Sequence, residues 1–162
     1  MGFGTAIKEL AGGGNPAALG RRVHRVGSLA DIDVAETVNI FRITGGEVML
    51  TCMYGHCTDL ITGALTTHPM LTPTIGGVAT DMCAISLTLE AAVADSILGW
   101  DGLITDALEI QGLGLGVPFS ANRQILVPGI IGLVTAVVAT VGAIDWILHY
   151  IPMDPGAVVN AI

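Results

Sequence analysis

Charge is what this sequence has least of. Charged residues make up 12% of its 162 positions, while hydrophobic residues make up 52%, so the charge share is about half that of an ordinary soluble domain. A soluble monomer needs a mixed, charged surface. This chain lacks the side chains to make one, so much of its apolar surface is expected to lie against other chains or in a membrane. Aromatics are scarce at 4%. Trp100, Trp146, Tyr54 and Tyr150 are too few and too scattered for a base-stacking platform. Basic residues nearly vanish after Val26, where only Arg42 and Arg123 stand against every acid but Glu9. With a net charge of −8, the body repels nucleic acid and anionic membranes, and neither is an expected partner.

Cysteines are Cys52, Cys57 and Cys83. An odd count without a CxxC pair argues against a disulfide framework and for synthesis in a reducing cytoplasm. Lys8, Glu9 and the surrounding glycines leave no apolar core for a signal peptide, and none is expected. The one long uncharged run, Val127 to Ile144, is opened by Pro128, Gly129 and Gly132 and is rich in strand formers. It carries no basic flank, so it reads as strand and not as a membrane span.

No constellation carries chemistry. Cys52, His56 and Cys57, with His68 and Cys83 downstream, have zinc-type donors at the wrong spacing; packing as small hydrophobes is the expectation. Asp145 and His149 lie too far apart along one strand to pair, and no serine has a nucleophile-elbow context. Asp95, Asp101, Asp106 and Glu109 match no calcium loop and read as a solvated acidic face. Gly112-Leu113-Gly114-Leu115-Gly116 lacks the register of a phosphate cradle, and Pro118 prevents a following helix. No enzyme activity, cofactor or metal is expected.

What is there is period two. Ile144, Trp146, Leu148 and Tyr150 alternate with Asp145, Ile147 and His149, the mark of a strand with one buried face. Val38, Ile40 and Arg42 alternate with Asn39, Phe41 and Ile43. Thr44-Gly45-Gly46-Glu47 follows as a turn, with Val48 to Cys57 as hairpin partner. Further strands are expected near 58–74 (irregular because of Pro69 and Pro73), 84–89, 103–110, 123–127 and 132–141. The last is expected to form a hairpin with 144–151, and Ala157-Val158-Val159 gives a closing edge. Short strands at this spacing predict an all-β fold, a β-sandwich or jelly-roll-like barrel. Phe41, Ile43, Leu50, Ile85, Leu87, Trp146, Leu148 and Tyr150 are the expected core. Residues 1–26 are rich in Gly, Ala and Arg and read as an extended N-terminal arm, leaving 27–162 as a single β domain.

Three stretches carry a resemblance. The C-terminal stretch, Ile130-Ile131-Gly132-Leu133-Val134-Thr135 and then Val141-Gly142-Ala143-Ile144-Asp145-Trp146-Ile147-Leu148-His149-Tyr150-Ile151-Pro152-Met153-Asp154-Pro155-Gly156-Ala157-Val158-Val159, resembles the close of a group of small tailed-bacteriophage virion proteins, with Met153 where the pattern prefers Leu. Val38-Asn39-Ile40-Phe41-Arg42-Ile43-Thr44-Gly45-Gly46-Glu47-Val48 is similar to that group's opening, and Thr80-Asp81-Met82-Cys83-Ala84 to its centre. The resemblance spans about 36 to 160. It implies a capsid decoration (cement) protein on the outer surface of a virion, assembled in the host cytoplasm. The partners it implies are the major capsid protein and further copies of the chain, as a homotrimer. A tail or neck subunit is the alternative, and a carbohydrate-binding β-domain a more distant one. The expected contact residues are Arg21, Arg22 and Arg25 of the arm and Val158 and Val159 of the closing edge.

Overall fold

In the computed structural model, which describes residues 19–86, 88–90, 92–113 and 122–162, the alternating C-terminal stretch is strand β10 (Ile144–Pro152). Ile144, Trp146, Leu148 and Tyr150 all point into the core. β10 lies between β1 (Arg21–Arg25) and β3 (Val48–Cys57). β3 also pairs β6 (Ser96–Gly99) and β8 (Gln124–Leu126), and β6 pairs β7 (Glu109–Leu113). The resulting 6-stranded sheet runs β1-β10-β3-β6-β7, with β8 beside β3.

The 5-stranded sheet runs β11 (Val158–Ala161), β2 (Thr37–Thr44), β9 (Gly129–Val137), β4 (Thr66–Pro73), β5 (Thr80–Asp81). Every strand pair in both sheets is antiparallel. Phe41, Ile43, Ile131, Leu133 and Val159 from this sheet share one hydrophobic cluster with Leu50, Met53, Leu98, Trp146 and Leu148 from the other. At about 25 cal/mol per Å² of buried apolar surface, such side chains each contribute about 1.5–3 kcal/mol.

The all-β class stands, but the expected sandwich or jelly-roll-like barrel is corrected to two open sheets. Closure requires the first and last strands of a sheet to pair with a fixed stagger. Among the described residues β1 pairs only β10, β7 only β6, β11 only β2 and β5 only β4, so each sheet ends in open edges.

Both expected hairpins are corrected as well. β2 and β3 are consecutive but lie in different sheets, and so do β9 and β10. Gly45 (φ 78) and Gly46 (φ 142) do make the tight turn, but it carries the chain from one sheet to the other. A side chain on Gly45 would run into the Gly156 carbonyl. In-sheet hairpins between consecutive strands occur only at β4–β5 and β6–β7 among the described residues.

Of the expected core, Phe41, Ile43, Leu50, Trp146, Leu148 and Tyr150 are buried. Ile85 is 45% exposed: the described residues of 84–89 make only an isolated bridge from Ala84 to Ala107 and no strand. Leu87 lies outside the described residues. The strand expected at 103–110 begins only at Glu109, after a turn. Pro69 and Pro73 sit in β4, whose neighbour β5 covers only Met70 and Leu71, so the missing donors cost little on that side.

The arm reading changes where the chain is described. Residues 21–25 form an edge strand in register with β10, from Arg21 opposite Tyr150 to Arg25 opposite Trp146. Residues 1–18 lie outside the described residues.

Candidate interaction surface

The strand registers bring several connections to one end of the molecule. Val48 lies opposite both Leu126 and Pro152. Gly129 lies opposite both Ile43 and Pro73. The links β2–β3, β4–β5, β8–β9 and β10–β11 therefore emerge together. Thr74 N donates to the Pro128 carbonyl at 2.8 Å, and Met153 N to the Glu47 carbonyl at 2.9 Å. Asp154 Oδ2 accepts the Glu47 N–H at 2.7 Å. These bonds tie the links in two pairs, β4–β5 to β8–β9 and β2–β3 to β10–β11.

Large apolar side chains stand out from this end. Ile75 is 91% exposed, Val78 75%, Ile125 60% and Met153 50%. Gly76 (φ 91) and Gly77 (φ 62) turn the chain between Ile75 and Val78 and meet no neighbour. The loop thus projects two β-branched side chains into water. Single exposed apolar residues need no explanation, but several gathered at one end mark a surface for contact. In the sequence, Ile75-Gly76-Gly77 marks a turn and nothing more. The available signal was a large apolar residue on each side of a Gly-Gly pair, where turns ordinarily carry polar residues.

The expected contact residues divide. Arg21 and Arg22 are exposed on β1. Arg25 is committed inside the chain: its guanidinium donates to both carboxylate oxygens of Asp31 at 2.8 Å, and its Nε to the Ile162 carbonyl at 2.9 Å. Burial pushes the Asp31 carboxyl up. The hydrogen bonds from Arg25 and Ser28 and the Arg25 charge outweigh it and hold Asp31 below its ordinary value. Val159 is buried in the chain's own core, while Val158 is half-buried on the outer face opposite Thr44.

The residues weighed for chemistry are kept apart. His24 Nε2 meets Asp145 at 2.9 Å, His56 Nε2 meets Asp95 at 3.2 Å and His68 Nε2 meets Asp81 at 3.0 Å. Asp145 also accepts the Gly27 N–H, so each of its carboxylate oxygens has a partner other than His149. His149 stacks on Tyr54 with centroids 6.5 Å apart. Burial first, and the Arg22 charge second, lower its pKa. Cys52, Cys57 and Cys83 are buried free thiols. Burial pushes Cys52 up to about 11 and Cys57 to about 12; burial and then the Asp81 charge push Cys83 to about 12. Such thiols are neither nucleophiles nor ready ligands at neutral pH. Cys52, His56 and Cys57 lie on one sheet and His68 on the other. No group of three His, Cys, Asp or Glu among the described residues is placed to hold a metal ion.

Asp101 and Asp106 do come together. Sharing a proton with Asp106 lowers Asp101, and the same contact raises Asp106. Of the glycine-alternating stretch, residues 114–116 lie outside the described residues. No helix among the described residues is long and apolar enough to cross a membrane. The uncharged run from Val127 to Ile144 holds β9, its flanking links and the first residue of β10.

Comparison with known proteins supplies no relative: no protein-family model, no curated protein and no solved structure matches this chain.

Proposed function

We propose that this chain is a structural protein of a tailed-phage virion that decorates the capsid, bridging neighbouring major capsid subunits and raising the cost of separating them. The attribution to a virion rests on the resemblance of the stretches around 38–48, 80–84 and 130–159. The observation that carries a contact role is the apolar end formed by Ile75, Val78, Ile125 and Met153 on a chain with so little charge. In this reading that end faces the shell. Burying Ile75 and Val78 there contributes about 1.5–3 kcal/mol each, before the cost of association is subtracted. The role is mechanical and calls for no catalytic group or cofactor. Arg21 and Arg22 remain available on the β1 edge, whereas Arg25 and Val159 act inside the chain.

Quantitative mass spectrometry of purified particles tests the assignment. A decoration protein is expected in numbers comparable to the major capsid protein. Copies matching a single ring at the portal would move it to the neck or tail. Absence from particles, or clear affinity in a glycan-binding screen, would overturn it.

A further inference from the structure

The two edges of the 6-stranded sheet differ in sign. β1 reads Arg-Arg-Val-His-Arg, and Arg21, Arg22 and His24 are exposed. The other edge, β7, starts with exposed Glu109, which adds to the negative field on Asp106 just before it. Arginine on an edge strand is by itself a device against pairing. Opposed to an acidic edge of the same sheet, it becomes selective instead: like edges repel, unlike edges attract.

Direction and facing also agree. Four antiparallel steps separate β1 from β7, so the two strands run the same way. A neighbouring copy that continued the sheet would therefore set β1 parallel to β7. Parallel alignment places the Arg21-Arg22 end of β1 beside the Glu109 end of β7. Antiparallel alignment would instead bring Glu109 to Arg25, which is already held by Asp31. The faces match in the parallel register. Val23, opposite Leu148, and Ile110, opposite Leu98, both lie on the core side. Arg22, opposite His149, and Glu109, opposite Gly99, both lie on the outer side. Setting Arg22 beside Glu109 thus sets Val23 beside Ile110, which is exposed in the single chain.

We infer that copies of this chain associate head to tail, the β1 edge of one adding to the β7 edge of the next, with Arg22 against Glu109. Such a contact is heterologous and produces a ring where its rotation closes, or a filament where it does not. The β11 and β5 edges lack this complementarity: β11 carries no charge, and β5 spans two residues. The inference concerns the purified chain alone and stands independently of the proposed place in a virion.

Charge exchange tests it by sedimentation velocity, with circular dichroism to show that each variant is folded. The wild-type chain is expected to associate. Arg22→Glu and Glu109→Arg are each expected to weaken association roughly tenfold, since each sets like charges side by side. The chain carrying both substitutions is expected to recover it. Mixing the two single variants is expected to restore association through alternating copies, so rings with an odd number of subunits disappear. A wild-type chain that stays monomeric, single variants that associate like the wild type, or a folded double variant that fails to recover would each overturn the inference. Should a single variant fail to fold, Arg22→Gln and Glu109→Gln provide the milder test; unchanged association in both would count against the seam.

Discussion

Replacing Trp146 with alanine is expected to lower the midpoint of unfolding far more than any surface substitution. Trp146 is among the largest fully buried side chains and sits on β10 between β1 and β3. Its ring passes over Gly55, where an added Cβ would lie 3.3 Å from it. Truncating such a residue costs about 3–5 kcal/mol, a large part of the 5–15 kcal/mol that holds a typical domain together. Urea unfolding followed by circular dichroism measures the loss. Trp146→Phe should cost much less, for a specific reason. The indole Nε1 is buried and has no hydrogen-bond partner among the described residues, a burden of about 1–3 kcal/mol that phenylalanine removes. Equal losses for Ala and Phe would mean that the indole is paired after all.

Trp146 also shows what the sequence makes legible. Its strand could be read from alternation alone, because Ile144, Trp146, Leu148 and Tyr150 all face one core. Ile147 departs from the pattern: it sits on the outer face, opposite Tyr54, and is nonetheless buried. The partner of the strand could not be read. Gly45-Gly46 and Gly142-Ala143 each look like hairpin turns, since a left-handed turn residue serves equally well to reverse a chain within a sheet or to carry it across to another. Which of these occurs depends on distant strands: β2 takes β9 and β11, while β10 takes β3 and β1. Bulges hide further detail. Ile40 is the extra residue in β2, so Ile40 and Phe41 are both buried despite being adjacent.

The proposed contact surface is less legible than the core, for a related reason. Hydropathy shows that Ile75, Val78 and Ile125 are apolar, but not that they stay outside when the chain has folded. Arg21, Arg22 and Arg25 looked alike in the sequence and do different things. Alternation along β1 gives Arg25 the same facing as Trp146, next to Asp31 and the Ile162 carbonyl, while Arg22 faces outward beside His149.

That difference carries the second large effect. Arg25→Ala is expected to destabilise the fold by about 3 kcal/mol at pH 7, because it leaves the Asp31 carboxylate buried without its counter-charge. The pair's side chains are only 15% and 12% exposed. Substitution of exposed Arg21 is expected to change stability by less than about 0.5 kcal/mol. The pH dependence has a definite sign. In the wild type the Asp31 pKa is depressed. The stabilisation is therefore fully present above the ordinary carboxylate pKa and is lost as pH falls through the folded value. In the variant, burial acts on Asp31 without the Arg25 bonds, so protonation relieves it. The stability gap between the two proteins should be widest near neutrality and should narrow as pH falls below about 4. Denaturant midpoints from pH 7 to pH 3 measure it. A gap independent of pH would show that Arg25 acts through packing alone.

The central claim is that the apolar end formed by the β4–β5, β8–β9 and β10–β11 links attaches this chain to a capsid shell. It is tested most directly by adding purified chain to shells stripped of it and measuring what sediments with them. The account predicts that wild-type protein binds to saturation, and that Ile75→Asp with Val78→Asp abolishes binding while leaving the circular dichroism spectrum and unfolding midpoint unchanged. Saturation binding by the doubly substituted chain, or no binding by the wild type, would contradict it.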